Sequence, residues 1–264
     1  MNPSRRDFLR LGVAGTAAAA LGVTPVRAAD PVLGMIFPPA GYPVPPEAGR
    51  LYPTGVGFLS EGVGLDRMTP DEYDRVIGNV VPAAERLAAR GANGISLMGT
   101  SLSFYRGAAF NQQVADNITK ATGLPATTMS TAMVEALRAV GAKRVAVATA
   151  YADEVNGRVR TFLEESGLEV VTVQGLGIIR FEDSPPVTQE GLFTFSAEVY
   201  ESVPRADALF VSCGNLSTID LIVPLEERCK APVICSTEHA LWASVRMLGL
   251  SGQARGFGTL LDRA

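Results

Sequence analysis

Apolar and polar positions follow two rhythms along this chain, and segments of the two kinds take turns. Short apolar runs bounded by Gly, Pro or charged residues read as buried strands. Stretches with apolar residues three and four apart read as amphipathic helices. Strands are predicted over Val32 to Phe37, Gly94 to Met98, Arg144 to Thr149, Glu169 to Gln174, Ala208 to Ser212 and Pro232 to Cys235. Helices are predicted from Pro70 to about Ala89 (as one or as a pair), Phe110 to Thr122, Ser130 or Thr131 to Val140, and Asp153 to Ser166. Three more follow, from Thr188 through Glu201, from Ile219 to Cys229 and from Glu238 to Leu248. Their ends carry the usual punctuation: Thr69-Pro70 with two acids opens one, and Gly123, Gly141 and Gly167 close others. Pro38 to Leu65, rich in Pro and Gly, reads as more loop than element. The Gly-rich tail from Ser251 gives no pattern.

Strands alternating with helices, with apolar rather than alternating strands, predict an α/β fold of parallel sheets joined by right-handed crossovers. Two strand-to-loop segments resemble each other. One runs from Ala92 through Gly99-Thr100-Ser101, the other from Ala206 through Cys213-Gly214-Asn215. Each is an apolar run ending in small hydrogen-bonding residues, which is how a parallel strand delivers a loop to a site at its carboxyl end. Their spacing predicts two similar halves with one site between them. The expected partition is residues 31–140 plus 236–264 for the first half and 141–235 for the second.

With 264 residues, 47% hydrophobic and 19% charged, the chain can bury a substantial core, and disorder is not expected. The net charge of −4 comes without a basic stripe, which argues against nucleic acid as a partner. The N-terminus is set apart. Arg5-Arg6 with Phe8 and Leu9 precedes an apolar stretch too short and too rich in Ala and Gly to span a membrane. Val26-Arg27-Ala28 then offers a cleavage site. Residues 1–28 thus read as a twin-arginine signal peptide, with the export machinery as a partner, a periplasmic destination and no stable membrane insertion. Its removal takes away four arginines and one aspartate, shifting the net charge from −4 to −7.

Three cysteines, Cys213, Cys229 and Cys235, leave at least one free thiol. Cys229 and Cys235 either pair or sit buried as small hydrophobes. A single histidine, His239, and the absence of any C-x-x-C motif argue against a metal site, and neither phosphate-loop motif occurs. What remains is a set of neutral donors: the hydroxyls of Thr100 and Ser101, the phenol of Tyr151, and backbone N–H groups around Gly99 and Gly214. Converging on a cleft, they would hold a carboxylate, or an enediolate derived from one. Each also has a plainer reading, as a helix cap (Thr100, Ser101), a strand-end tyrosine (Tyr151) or a core cysteine (Cys213). Two facing cysteines would suggest two-base proton exchange. Here Gly99 stands where the second copy has Cys213, so a proton delivered from one side is expected.

The run Ser96-Leu97-Met98-Gly99-Thr100-Ser101-Leu102-Ser103-Phe104-Tyr105-Arg106-Gly107 and its continuation to Asn111 closely resemble the arylmalonate decarboxylase family of the aspartate/glutamate racemase superfamily. The similarity extends through Gly34-Met35-Ile36, Arg50-Leu51-Tyr52-Pro53, Thr127 to Thr131, Ala148 to Tyr151 and Ser212-Cys213-Gly214. The twin-arginine leader departs from that pattern. The resemblance implies two Rossmann-like halves related by a pseudo-twofold, each a short parallel sheet flanked by helices, and no cofactor. It implies enantioselective decarboxylation of a small dicarboxylate, a disubstituted α-aryl malonate. One carboxylate would lie in a dioxyanion hole of Thr100, Ser101, Tyr151 and the N–H groups of Cys213 and Gly214. The other would lie in an apolar pocket of Pro38, Leu65, Met68 and Phe181, and Cys213 would deliver the proton. Alternatives are a racemase-type or maleate isomerase-type enzyme, disfavoured by Gly99, and a periplasmic carboxylate-binding protein, disfavoured by the thiol.

Overall fold

In the computed structural model, residues 30–180, 182 and 186–263 are described. The twin-arginine leader therefore lies outside the described residues. Four parallel strands, β1 (Val32–Phe37), β2 (Gly57–Gly62), β3 (Gly94–Leu97) and β4 (Ala126–Thr128), form one sheet in the order β2-β1-β3-β4. Four more, β5 (Arg144–Thr149), β6 (Glu169–Gly175), β7 (Ala208–Ser212) and β8 (Val233–Cys235), form a second, in the order β6-β5-β7-β8. The two orders are the same, so the expected duplication is present as topology: β1 corresponds to β5 and β3 to β7. These four strands are buried along nearly their whole length because helices cover both sheet faces, which is why they read as apolar runs.

The helices are α1 (Pro46–Leu51), α2 (Pro70–Val76), α3 (Val80–Ala89), α4 (Thr100–Phe104), α5 (Ala108–Thr122) and α6 (Met129–Ala139). They continue with α7 (Asp153–Glu165), α8 (Gln189–Glu201), α9 (Ile222–Cys229), α10 (Ser236–Met247) and α11 (Thr259–Arg263). A 3-10 turn, Ile77–Asn79, joins α2 to α3, so the stretch predicted as one helix or a pair is a pair. α10 leaves the second sheet and packs on α1, α6 and β3 of the first, making it a seam between the halves.

Several expectations are corrected. The Pro- and Gly-rich stretch after β1 holds α1 and the edge strand β2. β2 was illegible because every one of its residues is only half-buried, and α1 because it opens on Pro46 and has only six residues. The cap of α6 is Thr128, whose Oγ1 accepts the Thr131 N–H at 3.0 Å; Ser130 and Thr131 lie inside the helix. α9 starts at Ile222 and α10 at Ser236, not at Ile219 and Glu238. The tail contains α11. Thr188 caps α8 as expected, accepting the Gly191 N–H.

The duplication reaches single glycines. A Cβ on Gly62, at the end of β2, would lie 2.2 Å from the Pro39 carbonyl oxygen. A Cβ on Gly175, at the end of β6, would lie 2.1 Å from that of Tyr151. In each half the edge strand must end in glycine so that the loop leaving the central strand can pass against it. All three cysteines are free and buried, so Cys229 and Cys235 do not pair.

Candidate active site

The carboxyl ends of β1, β3, β5 and β7 converge on a cavity of about 110 Å³. Its wall includes Pro38, Leu65, Met68, Gly99, Thr100, Ser101, Tyr151, Cys213 and Gly214. Nine of the ten residues singled out from the sequence are thus brought together; the tenth, Phe181, lies outside the described residues.

Each wall is fixed by its own local bonds. After β3, Gly99 is the N-cap of α4, so Thr100 and Ser101 begin that helix rather than cap it. The Ser103 and Ser130 hydroxyls both donate to the Thr100 carbonyl at 3.0 Å, clamping the turn from two sides. After β5, Thr149 Oγ1 accepts the Tyr151 N–H, and the Asn156 amide donates to the Tyr151 carbonyl. The Tyr151 ring meets Phe104 of α4 edge-on, 5.9 Å between centroids, so the phenol of one half rests on the other. Its oxygen accepts from Ser212 at 3.2 Å, which leaves its own proton for the cavity side, where Thr100 and Cys213 lie.

Cys213 follows β7 with φ of 150°, a conformation few non-glycine residues adopt and one that costs on the order of 1–3 kcal/mol. Its thiol is buried, and burial pushes it up to about 11. The N–H groups of Asn215 and Leu216 and the Tyr151 hydroxyl hold it back. The thiol is therefore protonated at neutral pH, yet three donors face the thiolate, one of which, the Leu216 N–H, also donates to the Cys213 carbonyl at 3.2 Å. The Cys213 N–H is directed at Ser236 Oγ (3.2 Å), and the single proton of the Thr100 hydroxyl has two acceptors in reach, Ser236 Oγ (3.1 Å) and Met129 Sδ (2.8 Å). Two of the expected anion donors are thus engaged by the protein itself, whereas the Gly214 N–H has no acceptor among the described residues.

Other contributors were not singled out from sequence. Tyr73 of α2 is wholly buried with its hydroxyl beside Ser101 but no well-formed hydrogen bond, and burial raises its phenol well above the ordinary value. Tyr42 lines the cavity and stacks on Phe37. Ser236, at the start of α10, accepts from both halves. The wall expected to be purely apolar also carries Asp66, Arg67, Arg180 and Glu182. Arg180 pairs with Asp66, and the Met68 N–H donates to the Ile179 carbonyl at 2.8 Å, tying the two halves across the mouth. An α2 tyrosine and a salt-bridged loop pair carry no local motif, so only the fold reveals them. Among the described residues no cluster of His, Cys, Asp or Glu is arranged to hold a metal ion, and no helix is long and apolar enough to cross a membrane.

The family described as arylmalonate decarboxylase matches residues 33–261, and the twin-arginine translocation signal family matches residues 2–22. An arylmalonate decarboxylase of Bordetella bronchiseptica is 45% identical over 239 residues, covering 90% of this chain and 99% of that protein. A solved structure of a Gly-to-Cys, Cys-to-Ser double variant of arylmalonate decarboxylase in liganded form superposes with a TM-score of 0.85. It is 45% identical and covers 89% of this chain and 100% of its own. A maleate isomerase of Pseudomonas putida S16 shares the fold, with a TM-score of 0.78 at 22% identity over 88% of this chain and 98% of its own. Both lie in the aspartate/glutamate racemase fold.

Proposed function

The chain belongs to the arylmalonate decarboxylase family of carboxy-lyases, and on that premise we propose that it decarboxylates disubstituted α-aryl malonates with Cys213 as the only proton donor. Its twin-arginine signal directs export by that route, and the proposed destination is the periplasm.

In this reading one carboxylate of the substrate enters the hole formed by Thr100, Ser101, Tyr151 and the N–H groups of Cys213 and Gly214. The Cys213 N–H and Thr100 hydroxyl exchange Ser236 for the incoming oxygens. The second carboxylate faces Pro38, Leu65 and Met68, where an ion stripped of water is raised in energy relative to neutral CO₂. The bond between the α-carbon and that carboxyl breaks. Its electron pair stays on the α-carbon and spreads into the retained carboxylate, giving an enediolate as CO₂ departs. The hole's dipoles are already oriented when this charge grows, which is where preorganised donors contribute most. The Cys213 S–H proton then passes to the α-carbon. The resulting thiolate is met by the Asn215 and Leu216 N–H groups and Tyr151, and water returns its proton. No cofactor enters this sequence of steps.

The observation that carries the reading is the single protonated thiol in a cavity whose other signature loop ends in Gly99. The test is to mix purified protein with 2-methyl-2-phenylmalonate and follow CO₂ release and product chirality beside Cys213→Ala. One enantiomer, formed by the wild type and lost in the variant, is expected. Turnover that survives the substitution would overturn the role of the thiol.

A further inference from the structure

The first turn of α10 makes three successive contacts with the loop that carries the thiol. Ser236 Oγ accepts the Cys213 N–H at 3.2 Å, and Thr237 Oγ1 donates to the Gly214 carbonyl at 3.3 Å. The Thr218 hydroxyl donates to Glu238, 3.0 and 2.9 Å from its two carboxylate oxygens. The last contact is unusual. Glu238 is 0% exposed and Thr218 2%, and no ion pair engages the carboxylate among the described residues. The cation closest in influence, Arg50 of α1, is committed to Asp220 through two hydrogen bonds. A buried carboxyl without a cation is expensive to keep, because hydration is lost and one hydroxyl and one backbone N–H return little of it.

The groups facing Glu238 are few. Thr218 and the Glu238 N–H stabilise its charge, as does Arg50 more weakly, while Glu47 of α1 opposes it and the neutral Cys235 and His239 flank it on the chain. Burial dominates and pushes the carboxyl up to about 7. An acid in the first turn of a helix gains from the helix dipole, but an exposed one would gain similarly without the burial. What burial adds here is the bond to Thr218, midway along a loop whose first residue, Cys213, holds a backbone angle it would not adopt unaided.

We infer that Glu238 is a positioning residue: through Thr218 it fixes the Cys213–Leu221 loop, and with it the direction from which the thiol proton reaches the α-carbon. The inference rests on the reading of Cys213 as proton donor. It distinguishes positioning from plain support, since a loosened loop would misdirect the proton before it impaired binding of the substrate.

Four variants of the full chain test it: Thr218→Val, Thr218→Ser, Glu238→Ala and Glu238→Gln. In Thr218→Val and Glu238→Ala, kcat on 2-methyl-2-phenylmalonate should fall about tenfold or more, as expected when a reacting group is misplaced. KM should stay within about twofold and the enantiomeric excess should drop. Thr218→Ser and Glu238→Gln, which keep a donor and an acceptor, should restore most of both. A second measurement needs no substrate: iodoacetamide labelling of the Cys213 peptide, followed by mass spectrometry, should be about tenfold faster in Thr218→Val and Glu238→Ala, as local opening becomes easier. Unchanged kcat, chirality and labelling in these two variants would overturn the inference. If the wild type released no CO₂, the functional reading would fall, while the labelling rates would still decide the clamp: faster supports it, unchanged overturns it.

Discussion

The two halves of the molecule share a strand order and even the glycines that end their edge strands, yet their loops do different work. Where the loops after β1 and β3 in the first half carry Pro39 and Gly99, those after β5 and β7 in the second carry Tyr151 and Cys213. The first half supplies apolar wall and two hydroxyls, and the second supplies a phenol and a thiol. A duplicated frame with matched loops would present similar chemistry to both faces of a planar intermediate. Breaking the match at one pair of positions leaves a thiol on one side only. In the proposed mechanism, selectivity between mirror-image products is thus a property of the difference between the halves, not of either half.

The largest test of this asymmetry removes the acid. Cys213→Ala should lower decarboxylation by about a thousandfold or more, near the upper range for losing a positioned proton donor, while the binding of an arylacetate measured by calorimetry persists. The same group sets the alkaline limit. Because its thiol is raised from 9.0 to about 11, the donor form persists to about pH 10 and is lost as pH rises through 11. The rate should follow it, and a decline centred near pH 8 to 9 would contradict that assignment. Restoring the match is a smaller perturbation. Gly99→Cys would place a Cβ 2.7 Å from Pro38 Cγ, so the proline ring must shift. Decarboxylation should fall about tenfold, in line with the cost of overpacking a close contact, while racemisation of a chiral 2-arylpropionate becomes detectable by chiral chromatography. No racemisation from a folded variant would show that the first loop cannot aim a thiol. The smallest comparison concerns the frame. Thr128 caps α6 within a buried network with Asn111 and Thr131, whereas Thr188 caps α8 at an exposed site. Alanine should cost about 2 kcal/mol at the first and about 1 kcal/mol at the second by chemical denaturation.

Most of the frame could be read from the chain because central parallel strands announce themselves as apolar runs and glycine closes helices such as α5. The elements that escaped are those whose signal is not local. β2 lies at a sheet edge, β4 has three residues, and α1 begins in a proline cluster. The cap of α6 was misplaced because three hydroxyl residues, Thr128, Ser130 and Thr131, compete for one role, and packing against Asn111 decides it. In the site, Thr100, Ser101, Tyr151 and Cys213 were legible since each follows a strand. Tyr73, Ser236 and the Asp66–Arg180 pair were not, because they come from helix faces and distant loops that meet only in three dimensions.

The burial of all three thiols acquires a further meaning from the leader that precedes them. The twin-arginine route carries proteins that are already folded, so Cys213, Cys229 and Cys235 would be sealed in the interior before leaving the reducing cytoplasm. An unfolded chain emerging into an oxidising compartment would expose three cysteines at once to disulfide exchange, with three wrong pairings open to it. Under the proposed function and destination, an enzyme that depends on one unmodified sulfhydryl in the periplasm has reason to arrive assembled. Its export pathway and its redox chemistry are then a single constraint.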